Sequence, residues 1–485
     1  MSHTNVGKTT LARTLLRRDV GEVRDRAHVT EVSEAYALIE TAQGDVLRLW
    51  DTPGFGDTAR LLRRLRQSDN PVGWLLTQVW DRLTDRPFYS SQQALRNARE
   101  ESDVILYLVN AAEDPASAGY VEVEMQILGW IGKPVLLLLN QMGAPRGRAA
   151  EEAEEAAWRR HLAVYPWVHG ALSLDAFARC WVQEDALLGA VGALLPVVQD
   201  EPAAQHEAFA RLRAAWRTRN VEVFEQSMQV LARQLATVAV DREAVAVPNL
   251  KDTATRLLSA LLSGGEKADP EAEGAMTALA TRGDAAEREA TDRLIVLHEL
   301  SGRAAEQILA RVSGQFEVSR PADVGKSGVI GGLFSGALGG LAADLAAGGL
   351  TFGAGALIGG LLGALGVGGA AKAYNLMLGT SEGQIAWSAE FLTQRVSAAL
   401  LRYLAVAHFG RGRGDWVESE YPAHWQALVE EATAERRAQL EDIWRRAEAG
   451  AARDEIESSL QPLVSRAGRA LLVRLYPEAK EVLRR

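Results

Sequence analysis

Cysteine is nearly absent from this sequence of 485 residues, with Cys180 as its single example. One cysteine excludes an intramolecular disulfide, which fits a reducing compartment. An excess of positive charge is also absent, because 53 lysines and arginines face 63 aspartates and glutamates, for a net charge of -10. This balance argues against a general nucleic-acid binder, and we expect no nucleic-acid partner. No secretory signal precedes the first motif, so we expect a cytoplasmic protein.

The sequence also lacks an apolar strand ahead of its first motif. Residues 2–10 read Ser-His-Thr-Asn-Val-Gly-Lys-Thr-Thr, which is typical of a phosphate-binding loop that opens a helix, with Ser2 where the usual pattern has glycine. Such a loop normally leaves a buried strand, and Met1 stands where that strand should end. We therefore expect unpaired neighbouring strands and a gap in the core. Two interpretations follow: either the natural start lies upstream, or phosphate binding is weakened.

The residues of this loop have separate physical roles. Backbone N–H groups around Val6 and Gly7 curl about the phosphates, and Gly7 allows the backbone to approach them closely. Lys8 reaches the β- and γ-phosphates, and the hydroxyl of Thr9 is a ligand for Mg²⁺. Thr10 is expected near the α-phosphate.

A second motif, Asp51-Thr52-Pro53-Gly54, follows 42 residues after Thr9. Residues 32–41 and 46–50 alternate apolar and polar positions around a turn, which predicts a β-hairpin between the two motifs. The order of loop, hairpin and Asp-x-x-Gly indicates a P-loop nucleotidase.

Apolar runs at 104–109 and 134–139 predict buried parallel strands, and a further strand is expected at 168–172. Helical patterns cover 117–131 and 149–164. This alternation predicts a doubly wound α/β domain over residues 1–198, its first strand apparently missing.

Over residues 1–198 the chain resembles the bacterial GTPases of the TrmE–Era–EngA group. The remainder resembles the helical domain of unknown function that accompanies such a GTPase in some bacteria. The resemblance implies binding of GTP or GDP with Mg²⁺: Asp51 holds the ion through a water, Gly54 N–H senses the γ-phosphate, and Thr30 closes over Mg²⁺. For Asn5 two roles remain open, as a ligand of a stimulating K⁺ or as a hydrogen-bonding residue of the loop.

The base-recognition loop departs from that family pattern. Relatives have Asn-Lys-x-Asp, whereas this chain has Asn140, Gln141, Met142 and Gly143. Gly143 offers no acceptor for guanine, so we expect weak discrimination between purine nucleotides, with Asn140 still available to the base edge. The loop at 171–175 corresponds to the second base-binding element. There Asp175 is a substitute acceptor, or Ser173 or Asp175 caps a helix.

Residues 57–102 form an insertion after the second motif, in the position of the mobile switch II region. Phe55 stands where Ras-type proteins have a water-orienting glutamine, so other groups must place the attacking water. The insertion contains arginines and aromatic residues, namely Arg60, Arg63, Arg64, Arg66, Trp74, Trp80 and Phe88. Two interpretations are open, an effector or catalytic surface and an amphipathic helix packed on the second domain; packing is favoured.

The rest of the chain is predicted to be a mostly helical domain in three parts, 199–324, 325–378 and 379–485. The middle part consists almost wholly of glycine, alanine and apolar residues, with glycines four residues apart on two arms, at 328, 332, 336 and 340 and at 355, 359 and 363. Small residues at this spacing let helices approach closely, as they do in membranes. The segment predicts a helical hairpin that inserts into the inner membrane or lies buried in a soluble domain.

The leading hypothesis is a Mg²⁺-dependent nucleoside triphosphatase, a GTPase switch that acts on a helical, membrane-associated module through a protein effector. One alternative is a catalytically weak nucleotide-binding scaffold with a degenerate G domain. A second is a GTPase associated with RNA or the ribosome, which the sequence favours less because its carboxyl-terminal part has no recognisable RNA-binding module and no basic stripe.

Overall fold

A computed structural model gives the architecture of the chain. It describes all residues except 4–5, 19, 21–32, 56–57, 68, 72, 74–85, 143–147, 175, 177–179, 197–203, 247–269, 301–373, 379–381, 410–422 and 484–485. The chain forms two compact units. The first contains Met1–Glu222, Ala407–Pro422 and Leu475–Arg485, and the second contains Val223–Val406 and Ala423–Arg474.

The first unit alternates strands and helices along the chain. In order, the elements are α1 (Lys8–Leu16), β1 (Glu34–Glu40), β2 (Val46–Asp51), α2 (Thr58–Leu65), α3 (Arg86–Glu100), β3 (Ile105–Asn110), α4 (Gly119–Ile131), β4 (Val135–Asn140), α5 (Arg148–Leu162), β5 (Val168–Ser173) and α6 (Trp181–Ala193). The strands form a parallel sheet in the order β3-β4-β5 and an antiparallel hairpin of β1 and β2. The α/β fold class and the hairpin predicted from the sequence are confirmed.

The centre of this unit is β4, whose six residues are all buried. It pairs in parallel with β3 on one side and β5 on the other, so its backbone is hydrogen-bonded along both edges. An uninterrupted apolar run such as Val135–Asn140 suits a strand covered by helices on both faces. Because parallel strands end at the same edge, Asn110 and Asn140 lie side by side in the register.

The first three residues extend the sheet for a short distance between β2 and β3. Leu108 N–H donates to Met1 O at 3.0 Å, and Phe55 N–H donates to Ser2 O at 3.1 Å. His3 and Phe55 form a parallel bridge. Beyond these contacts the described strands β2 and β3 belong to separate sheets.

Within the insertion, α2 and α3 pack on the first unit itself. Leu61, Leu65 and Phe88 are each 1% exposed and belong to the same apolar cluster as Tyr107 of β3. The guanidinium of Arg60 lies 4.6 Å from the centre of the Phe88 ring. The sequence favoured a helix that packs rather than a free surface, and these side chains are indeed packed. The predicted partner was the second domain, whereas these side chains pack in the core of the first unit. Trp74 and Trp80 lie outside the described residues.

The remaining elements are mostly helical and begin with α7 (Ala204–Val240). The first compact unit extends to Glu222, past residue 198, where the sequence placed the end of the first domain. The structure further describes β6 (Arg242–Ala246), α8 (Pro270–Leu297), β7 (Tyr374–Leu378), β8 (Glu382–Trp387), α9 (Ala389–Ala407), α10 (Ala423–Ala434), α11 (Arg437–Glu448) and α12 (Arg453–Leu475). A short 3₁₀ turn at Pro477–Ala479 and the helix Lys480–Leu483 follow. The three strands form an antiparallel sheet in the order β6-β8-β7.

The carboxyl-terminal part is mostly helical, as the sequence predicted, and this small sheet is an addition that the sequence did not indicate. Tyr374–Leu378, the end of the segment predicted as a helical hairpin, is a strand, and so is Glu382–Trp387 in the region predicted as helix. The rest of that hairpin, 325–373, lies outside the described residues. Among the helices that the structure does describe, none is long and apolar enough to cross a membrane.

A buried ion cluster joins three helices in the core of the second unit. Glu287 of α8 accepts from Arg395 at 2.7 Å and from Arg402, both on α9. Arg402 also donates to Gln234 of α7 at 2.9 Å. The two arginines hold the pKa of Glu287 below its usual value against the opposing effect of burial. Removing one partner would leave an uncompensated buried charge, so this cluster constrains how the three helices pack.

Candidate functional site

The phosphate-binding loop leads directly into α1, whose first residue is Lys8. Gly7 precedes the helix with φ of 87°, in the left-handed region that favours glycine. A Cβ atom at Gly7 would also lie only 2.7 Å from Nδ2 of Asn140. Both observations explain why this position needs glycine. Val6 and Thr10 are buried on either side and fix the start of the helix in the core.

The Lys8 ammonium folds back onto the beginning of the loop. Its Nζ donates to His3 O at 3.0 Å and to Ser2 Oγ at 3.2 Å. Burial lowers the pKa of Lys8 to about 8, although the charges of Asp51 and Glu124 oppose the decrease. Because burial disfavours the cation, a polyanion at this position would gain from pairing with it.

The two sequence motifs meet at Thr9 and Asp51. Thr9 Oγ1 donates to Asp51 Oδ2 at 2.7 Å, and Asp51 Oδ1 is buried without a hydrogen-bond partner among the described residues. Burial raises the pKa of Asp51, while the Thr9 hydrogen bond and the Lys8 charge oppose the rise. A hydroxyl beside an under-bonded carboxylate oxygen is a donor set that suits Mg²⁺, which prefers oxygen ligands. The residues present therefore fit this ion.

The region just after Asp51 is buried against the loop. Gly54 is buried, and Phe55 is 1% exposed with its backbone N–H bonded to Ser2 O. The aromatic side chain of Phe55 lies in the apolar core, and it has no group that could orient a water molecule.

Asn140, at the end of β4, holds two loops together. Its Nδ2 donates to Val6 O at 2.7 Å, and its Oδ1 accepts from Ala176 N–H at 2.8 Å. The side chain is fully buried, so it acts as a brace between the phosphate loop and the segment after β5. The sequence predicted the importance of Asn140, but it assigned the amide to the base edge and missed this bracing contact.

The other residues expected near the base are partly described. Gln141, which directly follows β4, has φ of 57°, in the left-handed region. Ser173 N–H donates to Glu155 at 2.7 Å, and its hydroxyl oxygen is buried without a hydrogen-bond partner in the described part of the chain. Asn5, Thr30, Gly143 and Asp175 lie outside the described residues, so their roles remain predictions.

The structure also reveals a buried acid beneath the loop that the sequence did not single out. Glu124 of α4 is 0% exposed, accepts a hydrogen bond from Tyr107, and lies 2.9 Å from Nδ1 of His3. Burial, reinforced by the Glu124 charge, raises the pKa of Tyr107. A signal existed, because Glu124 falls on the apolar face of α4 between Val121 and Leu128, at helical spacing.

Two family models match the chain. Residues 3–141 match a family described as 50S ribosome-binding GTPase, and residues 168–470 match the domain of unknown function DUF3482. No curated protein matches.

Among solved structures, the chain is similar to a tyrosine-to-alanine variant of Aquifex aeolicus Era bound to GDP and AlF4⁻, with 18% identity and a TM-score of 0.29. It is also similar to Era in complex with MgGDPNP and a segment of 16S ribosomal RNA, with 18% identity and a TM-score of 0.28. Each match covers 41% of this chain and 56% of the Era chain, little more than half of that protein's length.

The match to the domain of unknown function covers more than half of the sequence, and the phosphate-binding loop, the Asp-x-x-Gly motif and strands β3 and β4 precede it. The chain therefore belongs to the DUF3482 family and carries a P-loop GTPase domain at its amino-terminal end.

Proposed function

We propose that the chain is a Mg²⁺-dependent GTPase in which nucleotide turnover switches the state of the helical region. The observation that carries this proposal is the contact between Thr9 Oγ1 and Asp51 Oδ2 at 2.7 Å, beside Lys8. Residues far apart in the sequence thereby bring a hydroxyl, a carboxylate and an ammonium to one place. Phosphoryl transfer needs little more from a protein than such positioning and charge stabilisation.

Each group of this site has a defined task during hydrolysis. Lys8 leaves its contacts with Ser2 and His3 and pairs with the β- and γ-phosphate oxygens, where negative charge accumulates. Thr9 and Asp51 would hold Mg²⁺, the aspartate through a water, and the ion would neutralise charge on the phosphate oxygens. Gly54 contributes its backbone N–H to the γ-phosphate.

The placement of the attacking water requires a group other than Phe55, because a phenyl ring neither donates nor accepts a strong hydrogen bond. The closure of Thr30 over Mg²⁺ and the binding of K⁺ by Asn5 are further parts of this proposal. Omitting K⁺ or substituting Asn5→Ala should slow turnover if Asn5 is a ligand.

Base selectivity is expected to be weak, since Gly143 provides no carboxylate for the guanine edge. We propose less than about tenfold preference for GTP over ATP, which corresponds to about 1.4 kcal/mol. A preference of roughly a thousandfold would contradict this statement and direct attention to Asp175 as the acceptor. We also propose membrane contact through residues 325–373 and a protein effector that reads the nucleotide state.

The decisive experiment compares wild type with Lys8→Ala and with Lys133→Ala, a lysine of the same domain outside the site. Binding of GTP and ATP is measured by titration, and phosphate release is measured with Mg²⁺ and with EDTA. Lys8→Ala should abolish binding or turnover because it removes the point charge on the phosphates, whereas Lys133→Ala should behave as wild type. Unchanged affinity and turnover in Lys8→Ala would show that this loop is not the nucleotide site.

A further inference from the structure

Glu124 is a fully buried acid of α4 whose two carboxyl oxygens have separate partners. Oε2 accepts a hydrogen bond from the hydroxyl of Tyr107, and Oε1 lies 2.9 Å from Nδ1 of His3 in the phosphate-binding loop. Because a carboxylate only accepts hydrogen bonds, Nδ1 of His3 carries the proton of this contact. A buried carboxylate is costly unless its oxygens are satisfied, so both contacts help to keep Glu124 in the core.

The ring of His3 is held on a second side by an aromatic ring of the same helix. The ring centroids of His3 and Tyr120 are 4.7 Å apart, with an interplanar angle of 33°. The hydroxyl of Tyr120 donates to Glu113 at 2.9 Å, which fixes the tyrosine in turn. Two contacts from α4, one with a carboxyl group and one with a ring face, therefore determine where His3 lies.

The backbone of His3 contacts both parts of the candidate nucleotide site. Its carbonyl oxygen accepts from Lys8 Nζ at 3.0 Å, and its main chain forms a parallel bridge with Phe55. Phe55 directly follows Gly54, whose backbone N–H contacts the γ-phosphate in the proposed function. A displacement of His3 would therefore move both the acceptor that holds Lys8 and the backbone next to Gly54.

A purely structural contact between the loop and α4 would not need a buried acid. Apolar side chains of similar volume often replace a buried ion pair without loss of stability, so stability alone does not favour Glu124. A hydrogen bond to a carboxylate fixes direction as well as distance. The contacts of Glu124 with Tyr107 and His3 therefore suit a site in which the position of a backbone carbonyl matters.

We propose that His3 is a positioning residue of the nucleotide site, held by Glu124, and that it sets the backbone that presents Lys8 and Gly54 to the triphosphate. This inference rests on the function proposed above. In the nucleotide-free protein the His3 carbonyl keeps the Lys8 ammonium at the loop until phosphate oxygens replace it. The bridge to Phe55 keeps the Gly54 N–H where the γ-phosphate arrives. The first contribution supports GDP and GTP alike, and the second supports GTP alone.

The test measures the affinities of GTP and GDP for the full chain and compares their ratio between variants. His3→Ala should weaken GTP binding about tenfold or more beyond its effect on GDP binding. His3→Asn should restore most of the ratio, because the asparagine Nδ2 lies near the position of the histidine Nδ1 and also donates a hydrogen bond. A lower folded fraction would weaken both nucleotides equally and leave the ratio unchanged. An unchanged ratio in His3→Ala, or no rescue by asparagine, would overturn the inference.

Glu124→Gln keeps the shape of the side chain but removes its charge, so the ratio should change in the same direction as in His3→Ala. The double variant should lose no more than His3→Ala alone, since both substitutions break one contact. Additive losses would mean that the two residues act separately and would overturn the pairing. Circular dichroism checks that each variant is folded, and the His3 variants decide the matter if Glu124→Gln does not fold.

The same helix provides a matched control. Glu122 of α4 lies 3.8 Å from Nε2 of His161, and its side chain is 56% exposed. This second pair of an acid with a histidine has no contact with the loop among the described residues. Glu122→Gln should therefore leave both nucleotide affinities unchanged, and a loss of the ratio equal to that of Glu124→Gln would overturn the inference.

These measurements also separate the positioning role from the proposed function. If wild type bound neither nucleotide, or if Lys8→Ala bound GTP as wild type does, the proposed function would fail and the positioning role with it. If wild type bound GTP through Lys8 while His3→Ala kept the wild-type ratio, only the positioning role would fail.

Discussion

Gly7 combines a backbone requirement with a steric one. Its φ of 87° favours glycine, and a Cβ would meet the Asn140 amide that braces the loop. Gly132, at the end of α4, has a φ of 73° but nothing within 4 Å of its Cβ position. An alanine at Gly132 would meet only the backbone strain, whereas an alanine at Gly7 would also meet the Asn140 amide. Comparing the two variants therefore isolates the effect of the contact with Asn140.

We expect Gly7→Ala to suffer both effects, the strained backbone conformation and the steric contact with Asn140. The left-handed conformation costs roughly 1–2 kcal/mol in either glycine variant. Only Gly7→Ala also displaces Asn140 from Val6 O, which should weaken nucleotide affinity at least about tenfold. Nucleotide titration and denaturant unfolding measure the two effects. If Gly132→Ala weakened nucleotide binding as much, the brace at Asn140 would not explain the result.

We expect nucleotide binding to be coupled to protonation of Lys8. With a pKa of about 8, the lysine is largely neutral in the free protein at about pH 8.5. Phosphate oxygens favour the cation and raise this pKa, so binding should take up a fraction of a proton. Calorimetric titrations in two buffers of different ionisation enthalpy measure that uptake.

The control for this uptake is Lys8→Arg, which stays charged and should show none beyond that of the nucleotide itself. Equal uptake by wild type and Lys8→Arg would assign the proton to another group.

Residue roles could be predicted where a motif fixes local geometry, as it does for Gly7 and Lys8. The meeting of Thr9 with Asp51 also followed from motif order. The buried Glu124 could be suspected from its place on an apolar helix face, but its contacts with His3 and Tyr107 depend on three elements distant in the sequence. The bracing contacts of Asn140 required the tertiary structure for the same reason.

At the scale of elements, α2 is part of the core rather than a free surface helix. Leu61 and Leu65 are each 1% exposed within the apolar cluster that includes β3 and α4. The arginines of the insertion suggested a surface for an effector. The leucines at helical spacing between them are buried, and they fix which face of α2 packs against the core.

Replacing Leu65 with alanine should destabilise the first unit by roughly 2–5 kcal/mol, because a buried side chain is lost and a cavity remains. Val164→Ala, at a position 75% exposed, should change the free energy of unfolding very little. Denaturant unfolding measures both. A Leu65→Ala protein as stable as wild type would mean that α2 is not held in the core.

Strands with continuous or alternating apolar patterns, β1 to β5, could be predicted. The sheet of β6, β7 and β8 could not, because Arg242–Ala246 and Glu382–Trp387 carry little alternation and pair across a long sequence separation. Their strand conformation depends on partners that local periodicity does not encode.

At the scale of the whole molecule, the order of a nucleotide-binding part followed by a mainly helical part could be predicted from composition and motifs. The division between them could not, since α7 is one continuous helix from Ala204 to Val240 while the first compact unit ends at Glu222 and takes up later segments of the chain. A boundary inside a helix has no signal in turn residues or linker composition.

The last prediction concerns the glycine-rich segment, which lies outside the described residues up to 373. If its two arms pack as facing stripes of small residues, Gly336→Leu and Gly359→Leu should each destabilise the protein by about 1–3 kcal/mol or more through overpacking, and Ala346→Leu, off the stripes, should cost much less. Denaturant unfolding tests this packing. Pelleting with membranes and resistance to carbonate extraction would support insertion into lipid, whereas recovery in the supernatant would support a buried hairpin. Wild-type stability of both glycine variants would contradict close packing of the arms in either environment.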